Sequence, residues 1–205
     1  MKNYRDHYFK KAKQDNYPAR SVYKLQELDA KFKVLRPGQK VLDLGAAPGS
    51  WTLYAAERVG PAGRVLAADL QATAQGFPPN VTFRREDVFT RTPEFEAELA
   101  AWRPFDLVLS DMAPSTTGHR GTDQARSMAL AEEALALASV SLVKGGHFVV
   151  KIFQGPDEQA YLKRMRELFD QVKSFKPKSS RAESKEMFCV GMGFRSLPGA
   201  PGHES

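Results

Sequence analysis

Two periods of apolar spacing alternate along the chain, and the points where one gives way to the other mark its elements. Val22, Leu25, Leu28 and Phe32 recur at three- and four-residue intervals, which predicts an amphipathic helix over residues 19–34. A short apolar run at 41–44 reads as a strand, after which Trp51, Tyr54, Ala55 and Val59 return to helical spacing. Further strands are expected at 64–70, 81–86, 105–110, 147–153, 172–175 and 187–193. Helices are expected to start at Thr92-Pro93, after the Gly/Ser/Thr-rich loop 115–122, and at Gly155-Pro156. The second of these should run to Val143 and stop at Gly145-Gly146. The run 105–110 is apolar almost throughout, as a parallel strand covered on both faces must be. Together the order gives an α/β fold: a mostly parallel seven-stranded sheet, helices on both faces, and a final antiparallel strand that returns as a hairpin.

The first strand leads into the turn Gly45-Ala46-Ala47-Pro48-Gly49 before its helix. Glycine at 45 and 49 lets a ligand lie against bare backbone, beside the unpaired N–H groups of a helix start. Such a cradle suits a nucleotide. A dinucleotide site would have glycine where Ala47 stands, so that a pyrophosphate can approach, and the turn therefore favours a ligand without phosphate. An ordinary strand-to-helix turn has a similar wording, and only chemistry further along separates the two readings.

That chemistry lies at the strand ends. Asp69 closes the second strand, Asp87 follows the third and Asp111 the fourth. Asp69 stands 20 residues beyond Gly49, where doubly wound folds place a carboxylate on a cofactor's ribose hydroxyls; Asp87 is suited to a base amino group. Lys151 sits in a strand among Phe148, Val149, Val150, Ile152 and Phe153, an unfavourable place for an ammonium unless an anion faces it. Ligands bind at the carboxyl ends of parallel strands, which puts Asp111 and Lys151 on one rim. An antiparallel last strand begins at that same rim, with Glu186. Lys24, four positions before Leu28 on the same helical face, is held over the body and closes the group.

Composition narrows the class. With 205 residues, 42% of them hydrophobic, the chain can build one sizeable core. A single cysteine, Cys189, excludes an internal disulfide framework, and His7, His119, His147 and His203 are too scattered for a metal motif. No apolar run nears the roughly 20 residues that span a membrane, and the first residues lack a signal peptide's apolar core, so a cytoplasmic protein with no membrane partner is expected. The net charge of +6 is unevenly placed: residues 1–40 hold eleven Lys or Arg against four Asp or Glu, and the remainder 19 against 20. This predicts a basic arm at 1–18, a single domain at 19–195 whose first helix (19–35) packs on it, and a flexible tail at 196–205. Tyr4, Tyr8, Phe9 and Tyr17 interleave rings among the arm's cations, a pattern suited to nucleic acid, although a solvated arm has the same composition.

Five segments carry more than composition: Ala19-Arg20-Ser21 with Lys24-Leu25, DLGAAPGSW at 43–51, SDMAPS at 110–115, FVVKIFQG at 148–155 and KPKSSRAESKE at 176–186. In these the chain resembles the FtsJ/RrmJ family of S-adenosylmethionine-dependent ribose 2′-O-methyltransferases over nearly its whole length. The resemblance implies a Rossmann-like class I methyltransferase fold and a catalytic Lys-Asp-Lys-Glu tetrad at Lys24, Asp111, Lys151 and Glu186. It implies cofactor contacts at Gly49, Trp51, Asp69, Asp87 and Asp111. It also implies S-adenosylmethionine as cofactor, S-adenosylhomocysteine as product, no metal, and a monomer acting on a uridine of large-subunit (23S) ribosomal RNA, in the large ribosomal subunit. Family members commonly have Asn where Ser115 stands and Gly where Ser50 stands, differences that leave the tetrad untouched. In the implied chemistry a ribose hydroxyl is held in line with the sulfonium methyl. Lys151 orients that hydroxyl and accepts its proton late, Asp111 and Glu186 fix Lys151, and Lys24 assists through charge. Methylation of transfer RNA and a non-catalytic RNA-binding module are the alternatives, the second disfavoured by retention of all four tetrad residues. A pyrimidine C5 methyltransferase would need a nucleophilic cysteine, and Cys189, in a strand with Phe188, Val190 and Met192, is expected in the core.

Overall fold

The computed structural model describes residues 2–181 and 183–195, with 2–6 as backbone. Its sheet contains β1 (Lys40–Leu44), β2 (Arg64–Asp69), β3 (Val81–Arg85), β4 (Phe105–Ser110), β5 (Leu142–Phe153), β6 (Phe169–Phe175) and β7 (Glu186–Phe194). Their order is β3-β2-β1-β4-β5-β7-β6. The first five pair in parallel, and β7 runs antiparallel to both of its neighbours, β5 and β6. The expected closing antiparallel strand is thus present, and it lies inside the sheet.

Six helices accompany the strands: α1 (Lys2–Gln14), α2 (Val22–Phe32), α3 (Ser50–Val59), α4 (Pro93–Trp102), α5 (Arg120–Ser141) and α6 (Glu158–Leu168). They divide between two cores. On one face Leu42, Leu44, Val108, Phe148, Val150 and Ile152 pack with side chains of α4, α5 and α6. On the other, Val41, Leu107, Leu109, Val149, Phe188 and Val190 pack with α2 and α3. Successive strand side chains point to opposite faces, so parity assigns the reactive residues too. Lys151 shares its face with Val149, Glu186 with Phe188, and Asp111, one step past β4, with Leu109. All three therefore rise on the side covered by α2, which carries Lys24.

Two regions differ most from expectation. Helix α5 ends at Ser141, not at the glycine pair, because Leu142 turns to extended backbone (φ −77, ψ 143) and pairs with Phe105 of β4. The glycines fall within the irregular start of β5, where the register shifts between Phe105 and Leu107 and Gly145 takes φ +83. The basic arm, in turn, is helical over Lys2–Gln14 and its C-terminal half is packed. Ala12 is buried with Val22 and Tyr23, the Tyr8 ring lies 5.3 Å from that of Tyr23, and Lys11 Nζ lies 4.9 Å from the same ring. Tyr17 donates to Glu57 Oε2 at 2.7 Å. Tyr8 and Tyr17 thus bind the body, while Phe9 stays exposed. The Tyr4 side chain and the tail at 196–205 lie outside the described residues.

Candidate active site

At the carboxyl rim of the parallel strands, the turn after β1 is tied to β2: the N–H groups of Gly45 and Ala46 both donate to the Ala68 carbonyl, at 2.9 and 3.1 Å. Gly45 has φ +76, and a Cβ there would come within 2.8 Å of Met112 Cα and N, so glycine is what lets the ends of β1 and β4 approach. Gly49, φ +112, is the N-cap of α3. Asp69, the last residue of β2, accepts the Ala47 N–H at 2.9 Å and the Gln71 N–H at 2.7 Å. Asp87, just past β3, accepts the Phe89 N–H and the Thr90 hydroxyl, each at 2.9 Å. These carboxylates and Asp111 line one cleft of about 290 Å³, with Gly45, Ala47, Leu70, Val88, Phe89 and Met112 among its other walls.

At Asp111 the cleft meets a group of paired charges. Lys151 Nζ donates to Asp111 Oδ1 at 2.8 Å and to the Asp111 carbonyl at 2.7 Å. Glu186 lies diagonally across the β5–β7 ladder: it pairs with Phe153, and Lys151 pairs with Phe188. Its Oε1 is 2.5 Å from Lys24 Nζ and accepts the Ser180 hydroxyl at 2.9 Å. Burial alone would raise the Glu186 carboxyl, but Lys24, the Ser180 hydroxyl and Lys151 outweigh it and hold the group below its usual range. Two ion pairs, Lys151–Asp111 and Lys24–Glu186, thus stand within electrostatic reach of each other. All four residues singled out for the tetrad meet here, and Asp69, Asp87 and Asp111 share the adjoining cleft.

Over residues 17–194 the sequence matches the FtsJ-like methyltransferase family. The chain belongs to that family. Among similar proteins, the "Ribosomal RNA large subunit methyltransferase E" of Oleidesulfovibrio alaskensis is 68% identical over 198 residues, spanning 97% of this chain and 96% of that one. The protein of the same name from Lawsonia intracellularis is 52% identical over 195 residues, 95% and 98% of the two chains. A solved ribosomal RNA methyltransferase structure from Plasmodium falciparum gives a TM-score of 0.76 at 24% identity, covering 88% of this chain and 100% of its own, which shows a shared fold.

Two expected cofactor contacts sit differently from the acids. Trp51 turns its ring into the α2/α3 core, 5.6 Å from Phe188, and its Nε1–H donates to the Ser21 carbonyl at 2.9 Å. An indole on the inner face of an amphipathic helix gains more from burial than from a polar cleft, so this position offers a ligand its backbone and not its ring. Gly49 is covered by Phe77, whose ring would meet a Cβ at 2.9 Å, and is not among the cleft walls. Ser50 is also occupied: it accepts the Ala19 N–H at 2.8 Å and donates to the Ala19 carbonyl at 3.1 Å. Ser50 and Trp51 together therefore anchor the segment that leads into Lys24.

Further contacts hold the segment that carries Glu186. Arg20 Nη2 donates to the Ser179 carbonyl at 2.6 Å, and the Glu27 carboxylate accepts the N–H groups of Lys178 and Ser179 at 2.6 and 2.9 Å. Arg20, Lys24 and Glu27, spaced four and three apart, thus clasp the segment 176–186 that delivers Glu186. Charge at helical spacing was the available signal, and it did not reveal a partner more than 150 positions away. Asp43, fully buried on β1, accepts the Thr52 hydroxyl at 2.7 Å, while its Oδ1 has no partner among the described residues. Burial pushes its carboxyl up to about 7, against the Thr52 bond and aided by Asp111 and Asp69. Burial likewise pushes the Cys189 thiol up to about 12, which suits a core residue and not a nucleophile. Among the described residues no metal-ligand cluster forms, and no helix is long and apolar enough to cross a membrane.

Proposed function

We propose that the protein transfers the methyl group of S-adenosylmethionine to a ribose 2′-hydroxyl of large-subunit ribosomal RNA, at a uridine, in the cytoplasm. The observation that carries this reading is the pair of ion pairs, Lys151–Asp111 and Lys24–Glu186, at the end of an acid-lined cleft. The cleft suits the cofactor chemically. Asp69 and Asp87 offer carboxylates for ribose hydroxyls and a base amino group, Leu70, Val88 and Phe89 offer apolar surface, and Gly45 and Ala47 offer close backbone. When bound there, the cofactor supplies an electrophilic methyl carbon.

The chain's own residues position the acceptor and move a proton. Lys151 Nζ directs two hydrogen bonds at Asp111, which leaves one further direction for a substrate hydroxyl. Once the ammonium has released a proton to solvent, that direction holds its lone pair. It takes the hydroxyl proton as the oxygen–methyl bond forms, and Asp111 and Glu186 face the ammonium that results. Lys24 and Ser180 keep Glu186 ionised and in place. Holding the hydroxyl within attacking distance supplies most of the acceleration, which is why a rigid rim suffices. The names of the relatives support ribosomal RNA as the substrate class, and exposed Lys10 and Lys13 on α1 supply cations for its backbone.

The test is direct. Given S-adenosylmethionine with a labelled methyl and large subunits from cells lacking the protein, the enzyme is expected to label one nucleotide, recovered by mass spectrometry as 2′-O-methyluridine. Label on a base, or a preference for transfer RNA, overturns the reading.

A further inference from the structure

The loop that walls the cofactor cleft at Ser115 also walls a second cleft, of about 250 Å³, at Thr116. Gln124, Phe153 and Gln154 line it, and it shares Glu183 and Ser184 with the opening around Lys24 and Glu186. Phe153 is the ladder partner of Glu186 and stands two residues beyond Lys151. The second cleft therefore adjoins the atoms that handle the ribose hydroxyl.

Two of its polar side chains are uncommitted. Gln124 is only 8% exposed, yet its Nε2 has no hydrogen-bond partner among the described residues. The amide lies against Gly155, where a Cβ would come within 1.9 Å of Nε2. A side chain is thus absent at 155 where an amide is seated whose Nε2 has no partner among the described residues, and buried polar groups in folded proteins are seldom left unpaired. Gln154 makes no side-chain hydrogen bond among the described residues, and the Phe153 ring has no aromatic partner there. The acid in the cleft is different. Asp123 accepts the Thr117 N–H and hydroxyl at 2.7 and 2.8 Å and the Gly118 N–H at 3.2 Å, so it shapes the loop.

Resting on the reading of the site as a ribose 2′-O-methyltransferase, we propose that this cleft holds the base of the nucleotide being methylated, with Phe153 stacking on its face and the Gln124 amide bonding its Watson–Crick edge. An aromatic face holds any base, so stacking gives grip without choice. The amide adds choice. Held with Nε2 towards O4 and Oε1 towards N3–H, it is the complement of uracil, whereas cytosine, which reverses donor and acceptor, needs the amide turned over. A ribose hydroxyl alone cannot distinguish one nucleotide from its neighbours, and a base pocket next to Lys151 supplies the distinction.

Two experiments test this, one of them independent of turnover. In equilibrium binding, the wild type is expected to prefer oligouridine to the same chain with abasic positions, and Gln124→Leu, which keeps the volume and leaves the Phe153 ring, to lose the part of that preference that the amide supplies. In methyl transfer, the uridine is first mapped on wild-type product and then replaced by cytidine in the RNA. Gln124→Glu removes the donor facing O4 and adds an acceptor for the cytosine amino group, so the ratio of kcat/KM for uridine over cytidine is expected to fall by roughly ten- to a hundredfold. An unchanged ratio in Gln124→Glu, together with unchanged base preference in Gln124→Leu, overturns the base pocket while leaving 2′-O-methylation standing. If the wild type places no methyl on ribose, the functional reading fails, and the binding arm still decides whether the cleft takes a base.

Discussion

Replacing Lys151 with alanine separates chemistry from scaffold, because the two readings of this lysine predict different magnitudes. Its side chain is 7% exposed and holds Asp111 through contacts of 2.8 and 2.7 Å. Stranding one partner of a fully buried ion pair costs roughly 3–5 kcal/mol. Asp111, however, lines the open cofactor cleft, so water can take the place of the ammonium, and the expected loss is nearer about 1–2 kcal/mol. For a chain of this size that lowers Tm by about 2–8 °C. Turnover is expected to fall far more, by roughly 10²–10⁴-fold, the contribution of a positioned proton acceptor. Lys151→Arg divides the chemistry further, since guanidinium keeps the charge and cannot accept a proton. Scanning calorimetry, cofactor titration and single-turnover methyl transfer should be run on the wild type and both variants. Near-wild-type transfer by the arginine variant would refute proton acceptance by Lys151. An alanine variant that lost stability and cofactor affinity in proportion to its rate would place the residue in the scaffold instead.

Three further outcomes follow from the same geometry. Glu27→Ala frees two backbone N–H groups of the 176–186 segment; methyl transfer should drop roughly tenfold with cofactor affinity unchanged, and Glu27→Gln, which keeps an acceptor, should recover most of the rate. Asp43 has a folded-state value of about 7 against an ordinary 3.8, so the native state retains a proton that the unfolded chain releases. Stability should therefore be highest below about pH 4 as far as this group is concerned, and decline as pH rises to about 7; Asp43→Asn should flatten that decline in urea melts, and parallel pH profiles would contradict the assignment. Lys10→Glu with Lys13→Glu should reduce the salt dependence of RNA binding, by about 0.7–0.9 in log–log slope for each phosphate that is no longer neutralised, without melting α1, whose packing rests on Ala12 and Tyr8; an unchanged slope would make the helix electrostatically inert.

What the sequence revealed and what it concealed follow a physical division. Strand ends and strand direction are legible locally, and they sufficed to bring Asp111, Lys151 and Glu186 to one rim. The start of β5 was misjudged because Gly145-Gly146 is a strong helix stop, whereas the pairing of Leu142 with Phe105 is a tertiary contact that ends α5 earlier. Spacing places Trp51 on a helix, but only the packing of Phe188 and the Ser21 carbonyl decides where its ring goes. The clasp of Arg20 and Glu27 and the unpaired amide of Gln124 were invisible, since their partners, or the lack of them, depend on distant backbone.

The position of β7 also sets a time at which the protein begins to work. Arg20 meets Ser179 across 159 positions, and among the described residues β6 hydrogen-bonds only to β7. On a chain that emerges from its N-terminus, the strands and acids of the cofactor cleft are complete well before residue 186 is made. At that stage β5 has a bare edge, β6 has no partner, and Lys24 faces no carboxylate. A chain cut short there carries the basic helix and the cleft of Asp69, Asp87 and Asp111 without Glu186, the partner of Lys24. On the proposed role of the Lys24–Glu186 pair, methyl transfer begins only when synthesis is nearly finished, and interrupted copies are expected to be silent.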